Sequence, residues 1–167
     1  WIIKLDGSGN MEWDKTYGGS KIESAESIQE TSDGGYIVCG ISESSNGDVS
    51  DGNNGGRDTW IIKLDGLGNK EWDKTYGGSR RDHAESIQQA SDGGYIVAGY
   101  SESNNGDVSD GNNGGEDFWI MKLDEYPQDE EYTIKAIVKN VDGCETTVEK
   151  TITVVAPEVP VFNISGG

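Results

Sequence analysis

Two loops in this 167-residue chain crowd hard oxygen donors together. Asp48, Ser50, Asp51, Asn53 and Asp58 fall within eleven residues, and Asp107, Ser109, Asp110, Asn112 and Asp117 repeat them in the same order. The glycines between them let the backbone fold sharply and offer carbonyl oxygens. Such a donor set suits Ca2+, which takes six to eight oxygens. Without a cation the carboxylates of each loop would repel one another. The pattern is not an EF-hand, because the twelfth position from Asp48 is Thr59 rather than Glu. A loop of Asx turns that needs no metal is the competing reading. The expectation is therefore two Ca2+ loops with these ten residues as ligands.

The elements that position the loops are repeats. Trp1, Trp60 and Trp119 stand 59 residues apart, and residues 1–59 differ from residues 60–118 at 13 positions. So regular a period sets the architecture before anything else is considered. Residues 1–6 and 12–17 alternate apolar and polar around a Gly/Asn turn, which predicts a hairpin. Residues 25–30 (AESIQE) favour helix by propensity. They nevertheless run into the turn Asp33-Gly34-Gly35 and the β-rich segment 36–42 (YIVCGIS), so a strand is expected. Each period then holds four short strands, the expected content of a β-propeller blade. Residues 1–124 would supply half a blade, one whole blade and about three quarters of another. That is too few to close a ring, which implies a piece of something longer or a chain that assembles with other copies. A stacked β-solenoid is the alternative.

After residue 124 the repeat stops. Residues 125–131 read as an acidic linker, residues 132–156 as a hairpin of two long Thr/Val-rich strands, and residues 157–167 as a linker or the start of another module. The expected class is all-β.

Thirteen basic against 31 acidic residues leave a net charge of −18, which argues against nucleic acid and anionic membranes as partners. No apolar run approaches the ~20 residues that would insert into a bilayer. Cys39 becomes Ala98 in the next period, so a disulfide there is dispensable; a Cys39–Cys144 bridge stays open.

The repeats resemble a β-propeller-like family of secreted and surface proteins of Bacteroidetes-type bacteria and some archaea. The resemblance lies in WIIKLDGLGNKEWDKTYGG at residues 60–78 and SIQETSDGGYIVCG at residues 27–40. It implies an extracellular or cell-surface protein and no particular activity. Residues 132–155 look like the last two strands of a PKD-like or gliding-adhesin-type Ig-like module.

Other motifs point to structure rather than chemistry. Thr31-x-Asp33-x-Gly35 resembles an Asp-box, which stabilises turns. The dipeptides Trp13-Asp14 and Trp72-Asp73 lack the Gly-His partner of a WD repeat and carry no weight on sequence grounds. Trp13, Trp72, Tyr17 and Tyr76 could form a glycan platform, but their recurrence favours packing between repeats. His83 is the only histidine and its counterpart is Ser24, so a triad or zinc site is not expected. The expected function is a non-catalytic module of an adhesin, probing a cell-surface glycan or protein ligand. The alternatives are a stalk or filament subunit binding other copies of itself, and an accessory part of a secreted hydrolase.

Overall fold

A computed structural model describes residues 1–124 together with two further strands, at 130–139 and 145–154. The chain divides into two compact units, Trp1–Glu125 and Tyr126–Gly167. The described residues are all-β; every pairing between strands is antiparallel, and one isolated parallel bridge joins Arg57 to Arg81.

In the first unit, β1 (Ile2–Leu5) and β2 (Met11–Lys15) form a hairpin. The strands β3 (Glu23–Glu30), β4 (Tyr36–Ser42), β5 (Asp58–Leu64) and β6 (Lys70–Tyr76) form a four-stranded meander in chain order. The strands β7 (Asp82–Gln89), β8 (Tyr95–Ser101) and β9 (Asp117–Leu123) repeat the first three of these. In the second unit, β10 (Glu130–Lys139) and β11 (Glu145–Val154) pair over ten residues. β10 therefore starts inside the segment expected to be a linker.

The middle meander is covered on both faces. Ile37, Cys39 and Ile61 pack against Ala84, Ile87, Tyr95 and Val97 of the following sheet. The alternate residues Val38, Trp60, Ile62 and Leu64 gather Ile2, Tyr17 and Tyr36 on the other side. Successive side chains of a strand point to opposite faces. A strand packed on both sides is therefore buried along its whole length, as β5 is. The helix-favouring segment at residues 25–30 lies within β3, because pairing with β4 along the strand overrides local propensity.

Two glycines are required by pairing. At β3–β4 the register slips between Ala25 and Ser27, and a Cβ on Gly40 would stand 1.9 Å from the Ser24 carbonyl oxygen. The same bulge recurs at β7–β8, where a Cβ on Gly99 would meet the His83 carbonyl at 1.8 Å.

Cys39 is a buried free thiol, and burial pushes its pKa up to about 12. Cys144 lies outside the described residues.

Candidate functional site

Each oxygen-rich loop leaves the second strand of a sheet and returns into the third, lying over the end of the sheet. Its shape is held largely by its own amide chemistry. Asn53 donates from Nδ2 to the Ser42 and Gly56 carbonyls at 3.0 and 3.3 Å, while its Oδ1 accepts from Gly55 N at 3.1 Å. Asn112 makes the equivalent bonds to Ser101, Gly115 and Gly114. Asp58 and Asp117 each accept from a backbone N–H four residues earlier, that of Asn54 and Asn113. These contacts belong to Asx-type turns.

The remaining expected ligands point to different partners. Asp48 accepts from Gly18 N at 3.1 Å, and Asp107 from Gly77 N at 2.9 Å. Ser50 donates its N–H to Asp73 at 2.8 Å and its hydroxyl to the same carboxylate. Asp51 pairs with Lys74 at 3.2 Å. Ser109 and Asp110 are exposed beside β9. Among the described residues, no group of three Asp, Glu, His or Cys side chains is arranged to hold a metal ion.

Two of the expected ligands do come together. Asp58 and Asp107 meet at Gly77, and Asp82 joins them. A Cβ on Gly77 would lie 2.5 Å from Asp58 Oδ1 and 2.8 Å from Asp82 Oδ2, so both oxygens crowd one point. Asp82 is saturated by Gly78 N at 2.7 Å, the Ser103 hydroxyl at 2.8 Å and the Ser101 hydroxyl. Asp58 is 0% exposed, and its Oδ1 has no hydrogen-bond partner. Burial, reinforced by the charges of Asp82 and Asp107 and opposed by the Asn54 N–H, raises its pKa to about 6. This acidic junction ties one period to the next, since Asp82 N also donates to the Arg57 carbonyl at 2.6 Å.

Sequence reasoning missed the residue that organises the first loop. Asp73, set aside as part of a Trp-Asp dipeptide, is buried and accepts from Ser50, from Trp60 Nε1 at 3.0 Å and from Lys70 at 2.8 Å. Burial alone would raise its pKa, but these donors hold it below the ordinary carboxylate range. Lys70 also reaches the Asp48 carbonyl at 2.6 Å. The available signal was the recurrence of Trp-Asp 13 residues after the leading Trp, since Asp14 accepts from Trp1 Nε1 at 3.0 Å in the same way.

The Asp-box-like turn has a structural role: Asp33 accepts from Thr31 Oγ1 and from Gly35 N at 2.9 Å. It also pairs with the buried Lys63 at 2.8 Å. Against the effect of burial, Lys63 and Thr31 lower the Asp33 pKa to about 2. The aromatic residues serve the repeat junctions. Trp13 meets Tyr36 edge-on at 5.7 Å, and Trp72 meets Tyr95 at 6.1 Å. His83 stacks edge-on with Tyr100 and lies 3.6 Å from Glu26.

In comparison with known proteins, no family model matches this chain, and no curated protein matches it.

Proposed function

We propose that this chain is a non-catalytic repeat module of a secreted or surface-displayed protein. In this reading its β-propeller-type blades, stiffened by Ca2+, present the same surface repeatedly to a glycan or protein ligand. The observation that carries the proposal is the reuse of one junction. Gly18 N donates to Asp48 as Gly77 N does to Asp107, and Trp13 meets Tyr36 as Trp72 meets Tyr95. Residues that recur in each period thus join one sheet to the next, while the loops recur in the same place on each sheet. Repeated presentation raises avidity without any new contact. The four-stranded meander covered on both faces is what a blade requires.

The Ca2+ part of the proposal rests on the unpartnered Asp58 Oδ1 beside Asp82 and Asp107. A cation there would be held through the free Asp58 Oδ1 and would offset the charges of Asp82 and Asp107 nearby. Melting followed by circular dichroism in EGTA and in millimolar CaCl2 tests it. A ligand at ~100 times its Kd adds about 2.7 kcal/mol of stability. A rise seen with Ca2+ and lost in Asp58→Asn supports the cation; no rise in the wild-type chain removes it. The adhesive part is tested on a glycan and cell-surface array. Dose-dependent binding by a monomeric chain supports it, and an array without signal overturns it.

A structural stalk or filament is favoured by one specific observation, the edge of β9, unpaired among the described residues, beside exposed Phe118 and Ile120. Polymers seen by light scattering at low concentration would support that reading over the adhesive one.

A further inference from the structure

The first loop is completed by a fourth strand that the second loop lacks. β6 pairs with β5 with Ile61 opposite Lys74 and Ile62 opposite Asp73. From that strand Asp73 receives Ser50 and Trp60, Lys70 reaches the Asp48 carbonyl, and Lys74 reaches Asp51. Every partner outside that strand recurs unchanged 59 positions later as Ser109, Trp119, Asp107 and Asp110. The partners on the strand itself do not recur. The positions equivalent to Lys70, Asp73 and Lys74 are Asp129, Tyr132 and Thr133.

Among the described residues β9 consequently pairs with β8 alone. Beside it runs a groove of about 480 Å3 lined by Tyr76, Asp107, Ser109, Asp110, Trp119 and Met121, among others. Its acidic lining matches a lysine-bearing strand, and its edge offers free backbone groups, the basis of recognition by strand addition.

We propose that the β9 edge and this groove are a docking site for an added antiparallel strand of the type Lys-x-x-Asp-Lys, donated by another repeat of the same kind. The incoming Asp would lie opposite Met121 and accept from Ser109 and Trp119 Nε1. The incoming lysines would reach the Asp107 carbonyl and the Asp110 carboxylate. The incoming residue equivalent to Trp72, which packs against Tyr95 of the following sheet, would lie between the first lysine and the Asp. The site is independent of the adhesive reading, because it needs only the internal repeat as its template.

The test is calorimetric titration of the whole chain with a synthetic peptide of the sequence of residues 68–77 (GNKEWDKTYG). The expected result is one-to-one binding. It should weaken at least tenfold when the peptide's Asp becomes Ala, and at least fivefold in Ser109→Ala/Trp119→Phe. The equivalent substitution Ser50→Ala should leave peptide affinity unchanged. Equal binding by a scrambled peptide, or insensitivity to Ser109 and Trp119, overturns the proposal.

A free peptide pays for its own ordering, so a second measurement removes that cost. A copy of residues 66–80 is inserted after Asp124, and hydrogen exchange is followed at the β9 amides. Strong new protection with this insert and none with a scrambled insert supports the docking site. Unchanged exchange, together with absent peptide binding, sinks it. Self-association of the chain that the peptide does not compete would assign the edge to a different occupant and likewise overturn the proposal.

Discussion

Asp73 and Asp58 are both buried carboxylates, and their surroundings drive them in opposite directions. Asp73 is surrounded by donors, so removing it strands Ser50, Trp60 and Lys70. Breaking one side of a buried charge pair typically costs 3–5 kcal/mol. Asp73→Ala should therefore lose on the order of 3 kcal/mol in urea denaturation, with Ser50→Ala losing about 1 kcal/mol. Asp58 faces other carboxylates. Its folded-state pKa of about 6 stands above the unfolded value of about 3.9. The native state therefore holds a proton that the unfolded chain releases, and the associated stability is full below about pH 4. That stability is lost as pH rises through 6. In EGTA, the melting temperature should fall between pH 4 and pH 6.5. Asp58→Asn should flatten that fall and melt above the wild type at pH 7.5, because the amide can donate where the carboxylate only repels. Below about pH 4 the opposite shift of Asp33, whose pKa lies at about 2, takes over as its pairing with Lys63 is lost.

At the scale of elements, the strands follow from alternation and the turns from Gly, Asn and Asp. β4 occupies the span read from sequence, whereas β3 begins two residues earlier than expected, and β7 and β8 repeat their bounds 59 residues on. The earlier start reflects the bulge, since Ala25 and Ser27 flank a slip that lets Glu23 and Ser24 keep pairing with β4. Nothing in ESAESIQE announces a slip; the signal is Gly40 on the partner strand. Gly40→Ala would force a methyl group onto the Ser24 carbonyl of that bulge. Overpacking of this kind costs typically 1–3 kcal/mol. Gly40→Ala should reach the upper end of that range by chemical denaturation, because the obstructing atom is backbone and cannot rotate away. Alanine at Gly34, whose φ is +82°, tests a separate cause, since no atom lies within 4 Å of its Cβ position. Its cost is conformational alone, on the order of 1 kcal/mol.

Across the first unit, identical residues take different energies from their place in the stack. Ile61 and Ile120 occupy the same position in successive periods. Ile61 is 0% exposed between two sheets, and Ile120 is 68% exposed at the open face. Ile61→Ala should cost 2–5 kcal/mol, and Ile120→Ala less than about 0.5 kcal/mol, measured by urea denaturation of the same chain. If docking of a further repeat covers this face, the Ile120 substitution should become costly only in the docked state. Each period contacts only its neighbours, so stability is a sum of period and junction contributions.

Sequence by itself determined the 59-residue period, the antiparallel strands, the Gly/Asn/Asp turns and the acidic surface, because each is written in local alternation, turn chemistry or composition. It also marked Asp58 and Asp107 as notable, though for ligation within single loops. Only the tertiary structure decided which atoms meet. It carried Asp73 across a hairpin to Ser50, set Asp58 against Asp82 at a junction 24 residues apart in the chain, and left Ser109 and Trp119 facing an open edge. The physical reason is that residues with the same local sequence differ in what lies across from them. That depends on strand pairing and the stacking of sheets, which no single stretch of the chain encodes.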